Sequence, residues 1–402
     1  MCEQSERNLL DPLVNRIVAN LGKDFDDVRY EVSVPENSFF ISNLYFLNIN
    51  SNAKDTDKRG TVNVVLKKPP VMPSVRDVMR TNEQFHNEIL FYQRYAKHHE
   101  EFPRCVLAED KPPSDSAIVL ENVILQRGYD VSKWKHDIPV EYTMAAFREI
   151  ARFHGKAYAA KEQRGEEFFD FVNDLQEVRY YPGSILKVVY DETASRSVGY
   201  LRERGYDRGF CDKLEDKLRS TYDDLIMKYV QPEEPLATLC HGDFTVNNTL
   251  FKKEKNGEIK CMFIDFALTR YGSPVLDLST FLCLHCAKQI DKSMLEKVLR
   301  EYHDSLTRCL EENGVDCEKY PYEVLREDYK RKGLFGFFIA TFFLPTVMGH
   351  SDGGPEKLFK MDLKDWGPVL REQGGDECSE IMANMLLGLK EFGCLDDLLG
   401  DD

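Results

Sequence analysis

The sequence has no glycine between Gly22 and Gly60, so a long stretch lacks the residue that lets backbone amides approach a phosphate most closely. Cations are in deficit as well. Fifty-three Lys and Arg face 69 Asp and Glu, and a net charge of -16 argues against a nucleic-acid-binding surface. The N-terminal stretch MCEQSERNLLDPLVNRIVANLGKD carries charge throughout and lacks the apolar centre of a signal peptide, so export is not indicated. No apolar run reaches a bilayer span of about 20 residues; the longest weakly polar one, Leu334 to Gly349, is shorter and contains Pro345. The eleven cysteines are scattered without a disulfide framework. Cys283 and Cys286 have C-x-x-C spacing, but no second close pair stands at zinc-site distance, and their apolar surroundings read as a helix with buried structural thiols. These absences describe a soluble, cytoplasmic protein with reduced cysteines, no membrane segment and no nucleic-acid partner.

What is present is enough for a large core: 402 residues, 42% of them hydrophobic. LDPLVNRIVANLG reads as a short amphipathic helix. VRYEVSV, SFFISNLYFLNIN and TVNVVLKK read as strands rich in β-branched and aromatic residues. RDVMRTNEQFHNEILFYQRYAKHH places Phe85, Ile89, Tyr92 and Tyr95 at helical spacing. RCVLAED and SAIVLENVIL add two more apolar runs. The first third is thus expected to be a small antiparallel sheet with one helix packed on it. From Glu141 the pattern is helical, with Met144, Phe147, Ile150, Ala151 and Tyr158 on one face. One β-like interruption, LATLCHGDFTVNNTLFKKEKNGEIKCMFIDF, carries the hairpin turn signal Asn256-Gly257. The expected layout is an α+β, two-lobed chain: an N-terminal lobe over 1–120, a link at 121–127, and a helical C-terminal lobe over 128–402.

The chemistry lies in that interruption. Phosphoryl transfer asks for a carboxylate to orient the acceptor hydroxyl, hard oxygen ligands for Mg²⁺ and a cation on the nucleotide phosphates. His241-Gly-Asp243-Phe-Thr-Val-Asn247-Asn248 fits H-x-D-x-x-x-x-N, with Asp243 receiving the acceptor proton and Asn248 ligating metal. Asp265, in Ile264-Asp265-Phe266 at the end of the second hairpin strand, is the second metal ligand. Upstream, Lys67 is the candidate cation for the phosphates, with Glu88 on the following helix as its partner. Lys68 competes for that role, and strand alternation allows only one of the two to face the nucleotide.

HGDFTVNNTLF followed by FIDFALTRYGSPVLDLSTFL resembles the ecdysteroid kinase-like family of small-molecule kinases, related to choline kinases and aminoglycoside phosphotransferases. VVLKKPP, FHNEILFY around Glu88 and IVLENV extend the likeness, which runs from about Val28 to Cys394. It implies a bilobal protein-kinase-like fold, ATP and Mg²⁺ as cofactors, and backbone groups of Glu121, Asn122 and Val123 near the adenine. It further implies that Asp277 is a buried support for the catalytic loop and that His241 fixes the loop. The stretch Val34 to Phe40 departs from the family's glycine-bearing phosphate loop, which leaves Ser38 or Ser42 to contribute there.

The acceptor is a small-molecule alcohol. A steroid-like alcohol, an ecdysteroid above all, is favoured by the resemblance; choline or ethanolamine and an aminoglycoside are the alternatives, and a weakly active binding protein is a further one. The aromatic run Leu334 to Phe343 reads first as core packing, and part of it as a wall for an apolar acceptor.

Overall fold

A computed structural model describes residues 4–21, 28–35, 42–51, 60–97, 99–350, 358 and 360–400. It divides into two compact units, Met1–Asp130 and Val131–Asp402.

The first unit is built on a five-stranded antiparallel sheet. Its strands are β1 (Val28–Ser33), β2 (Asn43–Ser51), β3 (Gly60–Lys68), β4 (Cys105–Glu109) and β5 (Ala117–Glu121), in the order β1-β2-β3-β5-β4. Alternation along β3 sends Val62, Val64 and Leu66 into a core with Leu10, Leu13, Val14 and Ile17 of α1 (Gln4–Asn20). Lys68 shares that face, and Lys67 takes the other. The helical run after the strands is not one helix. It forms α2 (Pro73–Val78) and α3 (Thr81–Leu90), because Arg80 between them adopts a left-handed φ of 50°. A single helix on the sheet was therefore too few, since α1 covers one face and α3 reaches Lys67 on the other. SAIVLENVIL is also not all strand. Asn122 accepts a hydrogen bond from the Leu125 amide and caps α4 (Val123–Arg127), so the polar side chain stops the strand and starts a helix. The segment 121–127 lies inside the first unit.

The second unit is mainly helical. It contains α5 (Val140–Gln163), α6 (Gly165–Asp174), α7 (Leu186–Thr193), α8 (Arg196–Glu203), α9 (Arg208–Leu218), α10 (Met227–Tyr229), α11 (Val275–His285), α12 (Lys292–Glu312), α13 (Tyr322–Lys332) and α14 (Leu334–Val347), with further helices at Trp366–Glu372 and Gly375–Phe392. The face of α5 expected to be apolar is buried at Met144, Phe147, Ile150, Ala151 and Tyr158. Two small ladders interrupt the helices: β6 (Thr238–Cys240) pairs with β9 (Arg270–Gly272), and β7 (Thr249–Lys253) with β8 (Ile259–Phe263), both antiparallel. The loop between β7 and β8 contains Gly257 at a φ of 89°; Asn256 does not share the positive φ, and the Gly257 amide donates to the Glu254 carbonyl at 2.9 Å, so the hairpin is closed by a five-residue loop rather than a two-residue turn. The aromatic helix α14 is core at Phe335, Phe337 and Phe338, while Phe342 and Phe343 are half-buried. It presses so closely on α11 that a side chain at Gly336 would collide with the Ser279 backbone, and the Gly336 amide donates to Ser279 Oγ at 3.1 Å. Cys283 and Cys286 are buried free thiols on and just after α11. Among the described residues no helix is long and apolar enough to cross a membrane.

Candidate active site

In the first unit Lys67 Nζ meets Glu88 Oε2 at 2.6 Å, with the carboxylate almost wholly buried. Lys67 also lies over the Phe85 ring, 5.8 Å from its centre. Lys68 is buried on the opposite face, where burial pushes its ammonium below the ordinary range against the opposing pull of Asp115. Glu121 is paired to Arg127 by two hydrogen bonds, and the amides of Glu121 and Asn122 donate to the carbonyls of Arg104 and Asn63. Val123 is buried, and Ser42 is half-buried ahead of β2. Ser38 lies outside the described residues.

In the second unit the chain from β6 to β8 brings His241, Asp243, Asn248 and the Asp265 segment together. Asn248 Nδ2 donates to Asp243 Oδ2 at 2.9 Å and to the Asp243 carbonyl at 3.0 Å. Those two acceptors fix which end of the amide points inward, leaving Oδ1 as the atom able to meet a cation. The Ile264 amide donates to the Asn248 carbonyl at 3.0 Å, and His241 Nε2 donates to the Ile264 carbonyl at 3.1 Å. Asp265 follows at once, half-buried, with a left-handed φ of 64°. A non-glycine residue there costs about 1–2 kcal/mol, a strain typical of a side chain aimed by its backbone. Phe266 behind it is buried against the His241 ring, their centres 4.7 Å apart.

The loop is held from below by Asp277 on α11. Its carboxylate accepts the His241 amide at 2.7 Å and the Gly242 amide at 2.9 Å, and contacts His154 Nε2 at 3.1 Å. Gly242 is required where it stands: at a φ of 79°, an added Cβ would lie 1.8 Å from the Leu268 carbonyl oxygen. His241 Nδ1 accepts the Asp243 amide at 3.3 Å, so with Nε2 donating both ring nitrogens are engaged. His154, Cys240 and Asp277 lie close enough to suggest a metal triad. Their donors are committed elsewhere, however: Asp277 to the loop amides, and Cys240 as a thiol whose pKa burial pushes well above its ordinary value.

The ecdysteroid kinase-like family model matches residues 36–315, well over half of the chain. The chain belongs to the ecdysteroid kinase-like family. Its fold is of the α+β, kinase-like class. No curated protein matches it. Among solved structures it is similar to the GDP complex of a wild-type aminoglycoside 2'-phosphotransferase-IIIa, at 12% identity and a TM-score of 0.47, covering 93% of this chain and 98% of that one. It is similar to an ethanolamine kinase of Plasmodium vivax at 12% identity and a TM-score of 0.44, covering 92% and 88%. A microcompartment-associated aminopropanol kinase is similar at 10% identity and a TM-score of 0.44, covering 96% and 99%.

Sequence reading missed two groups in this family member. Arg179, on the segment between α6 and α7, places Nη1 3.4 Å from Asp243 Oδ1. Its neighbour Glu177 accepts the amides of Arg179 and Tyr180, both at 2.8 Å, and pairs with Arg270. The available signal was an absence: HGDFTVNN contains no cation, so a positive charge at Asp243 has to come from elsewhere in the chain.

His285 was missed too. Buried, it accepts the Val246 amide on Nε2 at 3.1 Å and donates from Nδ1 to the Lys135 carbonyl at 2.6 Å. Burial lowers its pKa to about 4, against 6.5 when unfolded. Protonation would set an N–H against the Val246 N–H. The unfolded chain binds the proton first as pH falls, so the stability this ring contributes is complete above about 6.5 and is lost progressively down to about 4. Between pH 7 and 5 the expected loss is about 2 kcal/mol. Urea unfolding at the two pH values, in wild type and in His285→Gln, checks this; the variant should lose distinctly less.

A second expected result separates the two lysines. Lys67→Met should weaken Mg-ATP binding about tenfold or more, as loss of a charged phosphate contact does, and destabilise the first unit by taking the ammonium away from the buried Glu88 carboxylate. Adding Glu88→Gln should restore stability and not nucleotide affinity. Lys68→Met should leave affinity unchanged. Calorimetric titration with Mg-ATP and thermal unfolding of the four proteins decide it.

Proposed function

We propose that the protein transfers the γ-phosphoryl group of ATP, with Mg²⁺, to a hydroxyl of a steroid-like alcohol of the ecdysteroid type. The observation that carries this reading is the Asp243 carboxylate. It is half-exposed, held by Asn248 on one oxygen, and tied through Ile264 to the segment bearing Asp265.

Asp243 takes the acceptor's hydroxyl proton as the acceptor oxygen bonds to the γ-phosphorus, and the bond from that phosphorus to the bridging oxygen breaks, its electron pair leaving on ADP. Asn248 Oδ1 and the Asp265 carboxylate are hard oxygen donors that fit Mg²⁺, which when bound neutralises charge on the β- and γ-phosphates. Lys67, fixed by Glu88, is assigned to the nucleotide phosphates, and Ser38 and Ser42 of the glycine-free stretch are assigned to the same task. Backbone groups around Glu121, Asn122 and Val123 are assigned to the adenine; the amides of Glu121 and Asn122 already donate to Arg104 and Asn63, and the carbonyls of Asn122 and Val123 already accept from Gln126 and Tyr129, so a carbonyl there would use its second lone pair. Asp277 and His241 hold the loop and move no proton.

The steroid reading is supported by the family and by aromatic density beside Arg179. Tyr180 packs on Phe335 with ring centres 5.5 Å apart, and Tyr190 on Phe342 at 5.3 Å. Tyr180, Tyr190 and Phe335 are buried in the core and Phe342 is half-buried, so Phe342 is the ring of the four open to an apolar acceptor, whose binding would rest on burial of apolar surface at roughly 25 cal/mol per Å² before association costs. Choline or an aminoglycoside would be drawn to carboxylates instead, and their attraction is screened over about 8–10 Å at physiological salt. KM for an ecdysteroid should therefore be nearly flat between low and high ionic strength with Mg-ATP saturating. A cationic acceptor turned over far better, with a KM that climbs with salt, would overturn the steroid assignment and leave the small-molecule kinase.

A further inference from the structure

The catalytic loop carries no cation, yet phosphoryl transfer concentrates negative charge beside the carboxylate that receives the proton. We propose that Arg179 is a catalytic residue that reaches the phosphoryl group in transit from the acceptor side, supplying the positive charge that HGDFTVNN lacks. This rests on the kinase reading of Asp243.

Arg179 is well built for such a task. Its backbone is fixed at both ends: the amide donates to Glu177 Oε1 at 2.8 Å, and the carbonyl accepts from Ser184 Oγ at 2.8 Å and Tyr222 Oη at 3.2 Å. Tyr222 is fully buried and receives the Tyr181 amide as well, so the segment 177–184 is anchored to the core. About a third of the side chain is exposed, and it meets Asp243 at 3.4 Å. The two acids and two arginines here are also sorted. Glu177 is paired by Arg270, which stacks on Tyr180 with its guanidinium carbon 4.7 Å from the ring centre, so the acid nearest in sequence does not hold Arg179 back. The charged partner of the guanidinium is then Asp243, 64 residues along the chain, with the Tyr180 hydroxyl as a neutral neighbour. A hydroxyl oriented by Asp243 becomes bonded to phosphorus, so the phosphoryl group has to pass close to that carboxylate. A planar fork beside that carboxylate can therefore hydrogen-bond equatorial oxygens of the phosphoryl group as it crosses.

The test avoids the acceptor altogether. Full-length wild type, Arg179→Lys and Arg179→Met are titrated with Mg-ADP alone and with Mg-ADP plus aluminium fluoride, whose planar anion imitates the phosphoryl group in transit; thermal unfolding is followed in parallel. Mg-ADP affinity should stay within about threefold in all three proteins, as expected when ground-state contacts are kept. The tightening produced by fluoride should fall at least about tenfold in Arg179→Met and be partly retained in Arg179→Lys, with unfolding temperatures close to wild type. Equal tightening in Arg179→Met, or none in wild type, overturns the proposal while the nucleotide reading stands. A parallel loss of thermal stability and Mg-ADP binding in both variants assigns Arg179 a structural role and overturns it too. A wild type that does not bind Mg-ADP removes the kinase reading itself, and the proposal with it.

Discussion

Asp243→Asn is expected to lower kcat by about two to four powers of ten, the range lost when a positioned proton acceptor is removed, and to leave Mg-ATP affinity nearly intact. The substitution keeps the shape of the side chain. It also keeps an oxygen for the Asn248 amide, which now donates at 2.9 Å, so the loop should retain its form. What it removes is the negative oxygen that takes the hydroxyl proton, together with the charge that Arg179 faces at 3.4 Å. Single-turnover rates with the best acceptor, set beside calorimetric nucleotide affinities, measure the two effects separately. Equal rates in variant and wild type would take Asp243 out of the mechanism.

Asp277→Asn should act on stability instead. The wild-type carboxylate is buried and accepts two backbone amides, at 2.7 and 2.9 Å, with His154 Nε2 at 3.1 Å. An amide in its place turns one acceptor into an N–H facing another N–H, leaving a buried donor unmatched. The expected destabilisation is about 3–5 kcal/mol, the cost of breaking a buried charged hydrogen-bond set from one side. Urea unfolding gives the number. Asp277 touches no reacting atom, so what folded protein remains should keep its Mg-ATP affinity. A loss below about 1 kcal/mol would mean that water or a neighbour replaces the carboxylate, and that the loop does not depend on α11.

Much of this was legible in the sequence because its signals were local. The Asn256-Gly257 turn fixed the β7–β8 hairpin, and with it the approach of Asp265 to the loop at 241–248. Strand alternation separated Lys67 from Lys68, and the apolar density of Leu334 to Phe343 announced a core helix. Signals failed where tertiary contacts decided. Nothing in RDVMRTNEQF marks a left-handed residue at Arg80, because the usual marker, glycine, is absent. Asn122 looked like the interior of an apolar run, yet its side chain caps a helix. Arg179 and Glu177 sit in QEVRYYPGS, an ordinary polar segment whose importance appears only once folding sets it against a carboxylate far along the chain. His285 was read as part of an apolar helix, and its two buried hydrogen bonds, to Lys135 and Val246, are invisible to periodicity.

The most direct measurement is phosphate transfer itself. The full chain is incubated with ATP and Mg²⁺ and, separately, with an ecdysteroid, choline, ethanolamine and an aminoglycoside, and products are read by mass spectrometry for one added phosphate. The predicted result is a phosphorylated ecdysteroid, absent when the metal is chelated and reduced in Asp243→Asn in step with kcat. Nucleotide binding without a phosphorylated product from any of the alcohols would contradict it, and would make the protein a binding protein on a kinase-like fold.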